Sequence, residues 1–248
     1  MGNKLKNQEH LIQTSSLTKK FGDFTAIDNL SLNIQKGEVY GLLGPNGAGK
    51  TTTIRLLCGL IKYSSGEAFL LGKKVPDSKI APKIGYMPQE TALYEGLSVK
   101  QNLEFYGEIF GLKKEKINER ISELLKFIDL EKWKEQLVGN LSGGMKHRVS
   151  LACTLIHEPE ILFLDEPTVG VDPELRVSFW DYFNNLKENG ITILITTHYM
   201  DEAKHCDRIG FMKSGRLIAE GKPDEILKIS STTSLEDAFL KFSREEEL

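Results

Sequence analysis

The sequence predicts an α/β fold with a mixed, largely parallel core sheet, an N-terminal antiparallel β-subdomain and an inserted helical subdomain. Three observations predict it. The short runs Val39–Leu43, Ile161–Asp165 and Ile191–Thr196 are dominated by apolar residues, as strands covered on both faces are. Two segments of helical spacing, Lys50–Leu60 and Glu174–Lys187, follow such runs, and that alternation is the mark of a parallel sheet. The N-terminal part carries more strand pattern than alternation needs, in Leu11–Thr14, Ala26–Ile34, Gly66–Leu71 and Ile84–Tyr86.

Each element has its own local reason. The start, Met1–Gln8, is polar and has no apolar signal core. Ala26–Ile34 reads as one partly alternating strand, closed by a turn at Lys36-Gly37. Val39–Leu43 enters a glycine-rich run, from which the helix Lys50–Leu60 departs. From Val99 to Leu130 the spacing is helical, with Ser98 as a cap and Gly111 as a break. A further helix, Gly144–His157, stops at Glu158-Pro159, because proline lacks the N–H that would continue it. Pro173 opens Glu174–Lys187 and Asn189-Gly190 ends it. Arg208–Met212 and Leu217–Ala219 flank a turn and read as a hairpin, and Ser234 caps a tail helix bearing Leu235, Ala238, Phe239 and Leu240 before the acidic end Glu245–Glu247. The expected organisation is one domain over 1–248, with a helical subdomain over about 90–158 and a helical tail over about 223–248.

Composition narrows the function. Basic and acidic residues nearly balance, 32 to 35, so no broad surface attracts nucleic acid or anionic lipid. The three cysteines, Cys58, Cys153 and Cys206, have no CxxC spacing, which argues against a disulfide framework or zinc cluster and fits a reducing compartment. No apolar stretch approaches the roughly 18 residues that a spanning helix needs.

The chemistry centres on Gly44-Pro45-Asn46-Gly47-Ala48-Gly49-Lys50-Thr51, which matches GxxxxGK[ST] with a strand before it and a helix after it. Glycines let successive N–H groups face one anion, and the helix start adds its own unpaired amides. Lys50 then reaches the β- and γ-phosphates, and Thr51 offers a hydroxyl to Mg²⁺. These features define a P-loop NTPase. Asp165, at a strand end, is expected to organise Mg²⁺, while Glu166 orients and polarises the attacking water, since a metal-bound carboxylate is a poor proton acceptor. His198 follows the strand Ile191–Thr196, where strand ends converge on a ligand. It is expected to donate one hydrogen bond to the γ-phosphate as a neutral imidazole, held through its other nitrogen. The Gln89 amide oxygen is placed to touch Mg²⁺ or the lytic water. His10, His147, His157 and His205 lack such placement and read as structural or solvent-facing.

With these residues placed, the whole chain resembles the nucleotide-binding subunits of ATP-binding cassette transporters. Leu141-Ser142-Gly143-Gly144-Met145, lying between the phosphate loop and Ile161–Glu166, looks like the family signature. The resemblance implies that Ser142, Gly143 and Gly144 present a hydroxyl and helix-start amides to a γ-phosphate held by an opposing subunit. It also implies that Phe21 stacks on adenine, that Thr52 joins the loop in holding nucleotide, that Gln89 is the mobile glutamine, and that Asp172 contacts the opposing subunit. Met145 departs from the pattern, where many members carry glutamine; methionine cannot donate an amide hydrogen bond and is expected to pack against the helical lobe.

The same resemblance implies ATP hydrolysis with Mg²⁺, at a dimer interface in which a homodimer is favoured over a heterodimer. Transport would run through separate transmembrane permease subunits, with the chain held at the cytoplasmic face and no nucleic acid as partner. The groove between Gln89 and the helical lobe, with Thr91–Ser98 and Val99–Gly111, is the expected permease contact. Thr197–Ala203, Cys206–Ile209 and Leu217–Gly221 look like the ABC-2 exporter branch. The alternative is a soluble cassette ATPase acting as an ATP-gated clamp on a ribosome or nucleic acid, but no second cassette, coiled-coil insertion or basic extension accompanies it here.

Overall fold

Residues 10–245 are described in the computed structural model; the polar start Met1–Gln8 and the acidic residues Glu246 and Glu247 lie outside the described residues. The N-terminal strands are β1 (His10–Phe21), β2 (Phe24–Leu30), β3 (Asn33–Gln35) and β4 (Val39–Leu43). Helix α1 (Lys50–Leu57) leads to β5 (Ser65–Leu70), β6 (Lys73–Lys74) and β7 (Ile84–Met87). Then come α2 (Val99–Ile109), α3 (Lys114–Phe127) and α4 (Gly143–Leu155), followed by β8 (Ile161–Asp165), α5 (Pro173–Glu188) and β9 (Thr192–Thr197). The chain closes with β10 (Arg208–Lys213), β11 (Arg216–Gly221), α6 (Pro223–Ser230) and α7 (Leu235–Glu245).

The core sheet has six strands in the order β11-β10-β4-β9-β8-β7. Strands β10, β4, β9, β8 and β7 pair in parallel, and β11 returns antiparallel. Strands β4, β8 and β9 are buried at every residue. Their alternating side chains divide between two cores, as a period of two demands. Val39, Leu43, Leu162, Leu164, Ile193 and Ile195 pack on the face covered by α2–α5. Tyr40, Leu42, Ile161, Phe163 and Leu194 pack on the other face with α1 and the N-terminal sheet.

That second sheet is antiparallel, in the order β2-β1-β5-β6, with β3 on β1 as well. The protein is therefore an α/β P-loop NTPase with an N-terminal antiparallel β-subdomain. The segment expected as one strand over Ala26–Ile34 is two: β2 pairs with Leu17–Phe21 of β1, and β3 with His10–Gln13. The run breaks after Leu30, at Ser31-Leu32; Asn29, at φ 55, lies inside β2 where its pairing with β1 shifts register, in a left-handed conformation that asparagine tolerates better than most residues. Likewise α1 stops at Leu57, short of Leu60, where the C-terminal turn reaches Gly59 at φ 72. The tail contains a helix, α6, that the Ser234 cap alone does not predict; its Pro223 at N1 and Glu225, which accepts from the Lys222 amide, are the local signals.

In the helical segment Ser98 caps α2 in a reciprocal box with Gln101. Arg120 of α3 is anchored on the Leu155 carbonyl at the end of α4 at 2.9 Å. Met145 is half-buried against the core on this side, matching its expected packing role. Cys153 and Cys206 are buried free thiols and Cys58 is half-buried, as read from the sequence. Among the described residues no helix is long and apolar enough to cross a membrane.

Candidate nucleotide-binding and catalytic site

Parallel register builds the site. Leu43 of β4 aligns with Thr197 of β9, Thr196 with Asp165 of β8, and Leu164 with Met87 of β7. The residues that follow these ends, Gly44, His198, Glu166 and Gln89, therefore emerge side by side along one edge of the sheet, with neighbouring strands about 4.8 Å apart.

The phosphate loop curls where only glycine fits. A Cβ at Gly44 would fall 2.1 Å from the Met212 carbonyl oxygen, and one at Gly49, with φ 106, 2.8 Å from the Ala26 carbonyl oxygen. Gly49 is also the N-cap of α1, so the first amides of α1 open into the loop. A cavity of about 420 Å³ lies over the loop, lined by Asn46–Thr52 with Phe24, Ala26, Gln89 and Glu166.

Lys50 is buried and its Nζ donates to the carbonyls of Gly44 and Pro45 at 2.7 and 3.1 Å. Burial pulls its pKa below the ordinary lysine value, an effect opposed by the charges of Glu166 and Asp165. Glu166 Oε1 stands 3.9 Å from Nζ.

Asp165 is wholly buried, and burial raises its pKa, against hydrogen bonds from Thr196 and Thr51 that favour the carboxylate. Its Oδ1 accepts from Thr196, while Oδ2 has no hydrogen-bond partner. A buried carboxylate oxygen without a partner, next to the Thr51 hydroxyl and facing a phosphate cradle, fits a hard cation that takes its other oxygens from phosphate and water. Among the described residues no group of three or more His, Cys, Asp or Glu could hold a metal ion.

Glu166 leaves β8 at φ 55, in the left-handed region, so its side chain departs from the direction of Asp165. Its Oε2 accepts from Gln89 Nε2 at 3.1 Å, and its Oε1 meets His198 Nδ1 at 3.2 Å. Carboxylate oxygens only accept, so Nδ1 carries the hydrogen. A neutral His198 ring then has a bare Nε2 and cannot also donate to a γ-phosphate. The expected neutral donor held through its other nitrogen therefore requires this contact to break, or the ring to be cationic.

The structure brings together Lys50, Thr51, Thr52, Gln89, Asp165, Glu166 and His198. It does not bring Phe21 to the cavity. Phe21 is half-exposed under Lys19 Nζ, 4.5 Å from the ring centre, and its cross-strand partner Phe24 lines the cavity instead. Phe21 and Phe24 bracket the two-residue turn between β1 and β2, so a reach of three residues separates the two assignments. Ser142, Gly143 and Gly144 do not line the cavity either. Ser142 caps α4 by accepting from Met145 N at 3.3 Å, which leaves its hydroxyl hydrogen free to donate. Asp172 similarly caps α5 on Leu175 N at 3.0 Å and is exposed.

One histidine read from the sequence as structural or solvent-facing lies beside the site. His147, on α4, is buried, and its Nε2 lies 3.0 Å from the Glu166 carbonyl oxygen. It stands one turn beyond Gly144, whose Cα abuts the Gly170 carbonyl, so both face the segment after β8. The helical spacing was visible in the sequence; which face met that segment was not.

A P-loop at the centre of a parallel sheet, two acids at the end of β8 with β9 between it and the P-loop strand, and a buried lysine define a P-loop NTPase, a domain built to bind and hydrolyse a nucleoside triphosphate. The family model described as ABC transporter matches residues 27–169, more than half of the sequence, and the chain belongs to that family. It is 45% identical over 240 residues to "Probable multidrug ABC transporter ATP-binding protein YbhF" of Escherichia coli (strain K12), covering 94% of this chain and 42% of that protein. It is 43% identical over 220 residues to "Nod factor export ATP-binding protein I" of Cupriavidus metallidurans, covering 88% of this chain and 73% of that one. The chain thus spans about two fifths of the first relative's length. Among solved structures, a dimeric post-hydrolysis ATP-binding cassette bound to ADP and Pi superposes with TM-score 0.80 at 30% identity, over 85% of this chain and 98% of that one. An ATP-binding subunit of an ABC transporter superposes with TM-score 0.87 at 27% identity, over 94% and 99%.

Proposed function

We propose that this chain binds and hydrolyses ATP at an interface with a second nucleotide-binding subunit, and that the cycle drives export through separate membrane-spanning subunits. The observation that carries the reading is the Glu166 carboxylate, held at the mouth of the phosphate cradle by Gln89 and His198 and 3.9 Å from Lys50. Water attacks the γ-phosphorus, Glu166 accepts its proton, the bond to the bridging oxygen breaks, and ADP and phosphate leave. Lys50 and the loop amides offset charge on the transferring group. A magnesium ion held by Thr51 and Asp165, with Gln89 within reach, would neutralise charge on the β- and γ-oxygens.

Ser142, Gly143 and Gly144, away from this cavity at the start of α4, suit a γ-phosphate held by a partner, because a capped helix start favours an anion. The dimeric relative supports that arrangement. The relatives named for multidrug transport, Nod factor export and linearmycin resistance support export. An apolar cleft of about 160 Å³ among Tyr86, Pro88, Leu93, Tyr106 and Phe110 supports a membrane-subunit contact beside Gln89.

The test is affinity capture of the tagged full chain from detergent-solubilised cells, with ATPase measured on the captured material. Recovery of a protein with several membrane spans, together with ATPase abolished by Lys50→Ala, is expected. Capture of ribosomes or RNA, with RNA-dependent ATPase, would replace export by the clamp reading.

A further inference from the structure

The peptide units on either side of Glu166 are pinned by two different elements. Its N–H donates to the Thr196 carbonyl at 3.1 Å and to Thr196 Oγ1 at 3.2 Å, which ties it to β9. Its carbonyl receives His147 Nε2 at 3.0 Å, which ties it to α4. A carbonyl only accepts, so Nε2 carries the hydrogen. His147 is 7% exposed, and burial holds its pKa below the ordinary histidine value, against the hydrogen bonds it makes to the backbone carbonyls of Glu166 and Pro167. The hydrogen on Nε2 follows from the carbonyl it meets, and burial favours the uncharged ring. Between these two anchors Glu166 sits at φ 55, a conformation that persists in a non-glycine residue only when its surroundings hold it.

We propose that His147 is a positioning residue for Glu166: its Nε2–H fixes the Glu166 carbonyl, and thereby the aim of the carboxylate, to the helix that begins with Ser142-Gly143-Gly144. The inference rests on Glu166 being the hydrolytic carboxylate. It links two functions through one protomer. The start of α4 is placed to meet a partner's nucleotide, and one turn further on the same helix grips the backbone that carries this protomer's own base. A shift of α4 on closure is then felt at Glu166 through this hydrogen bond as well as through packing.

Two amides separate this from a packing role. In His147→Gln the side-chain nitrogen lies near the position of Nε2 and still reaches the Glu166 carbonyl; in His147→Asn it lies near Nδ1 and does not. Both are polar, so they differ in reach and not in the chemistry of burial. The full chain is assayed for ATP turnover, with thermal midpoints measured in parallel. His147→Asn is expected to lower kcat about tenfold with KM for ATP within about twofold, well short of the ~10²-fold that a 1 Å misplacement of a reacting group costs. His147→Gln is expected to stay within about threefold of the wild type. In a Glu166→Gln background, His147→Asn should add less than about twofold, because both changes act on the same group. Equal kcat for His147→Asn and the wild type would overturn the proposal, as would an equal fall in both amide variants. Wild-type turnover by Glu166→Gln would remove the assignment of Glu166 itself, whereas an inactive Glu166→Gln beside an unaffected His147→Asn would remove only the role of His147.

Discussion

Adjacent glycines at the start of α4 separate what the fold needs from what a partner needs. A Cβ added at Gly144 would stand 2.7 Å from the Gly170 carbonyl oxygen, closer than Cβ atoms are found to approach, whereas one added at Gly143 meets nothing within 4 Å. Gly144→Ala must therefore push α4 and the turn before α5 apart by about 0.5 Å, an overpacking cost of roughly 1–3 kcal/mol. Alanine also favours helix over glycine by up to about 1 kcal/mol, but that gain is common to both positions and cancels in their difference. At about 2–4 °C per kcal/mol for a chain of this size, Gly144→Ala should melt some 2–12 °C below Gly143→Ala in nucleotide-free protein. The dimer should respond differently. If the bare backbone at Gly143 approaches a partner's phosphate, Gly143→Ala melts at or slightly above the wild-type midpoint yet loses the ATP-dependent dimer seen by light scattering in a Glu166→Gln background. Equal midpoints for the two variants would refute the packing argument. An intact ATP-dependent dimer of Gly143→Ala would refute the phosphate-facing role.

Glu166→Gln should lower ATP turnover by roughly 10²–10⁴-fold, the usual contribution of a general base, while ATP still induces dimerisation; phosphate release and light scattering measure the two. Asp165→Asn should raise the melting midpoint of nucleotide-free protein at pH 7 while abolishing hydrolysis. The sign follows from burial, which raises the folded pKa of Asp165 above its unfolded value; the ionised form then costs stability at neutral pH, and the difference between variant and wild type should vanish below about pH 4. Phe24→Ala should weaken ATP binding about fivefold or more by titration, consistent with about 1–3 kcal/mol for an aromatic stacked on a base. Phe21→Ala should weaken it less.

The sheet core was legible because burial on both faces leaves little freedom in composition. Ile161–Asp165 contains only apolar residues before its terminal acid and is β8 without change of boundary. The phosphate loop was legible because its glycines answer to contacts, such as Gly44 against Met212, that no other residue survives. The N-terminal sheet was less so. A single partner strand, β1, pairs with β2, β3 and β5, and the break between β2 and β3 depends on long-range pairing that local alternation does not encode. On the adenine side Phe24 lines the cavity and Phe21, its partner across the tight turn, does not; which of two directly opposed rings borders the loop depends on how the turn sits over it, and local alternation does not encode that.

The candidate residues that the structure gathers around the cradle could be named from sequence, but their coupling could not, because it depends on which atoms face each other. Both carboxylate oxygens of Glu166 are engaged, by Gln89 and by His198, and Lys50 is satisfied by the Gly44 and Pro45 carbonyls. A triphosphate entering the loop competes with those carbonyls for Lys50, and it offers charged oxygens, which win over neutral acceptors. Gln89 is a different case: it follows β7 and leads to α2, so a shift of that connecting segment, as well as a rotation of its own side chain, would take it off Glu166. Water needs one of the oxygens that Gln89 and His198 now occupy. If Glu166 is the base, as proposed above, a shift of the segment that borders the apolar cleft beside α2 would free one of its oxygens for water, and a subunit seated in that cleft would act on the Glu166 carboxylate without touching it.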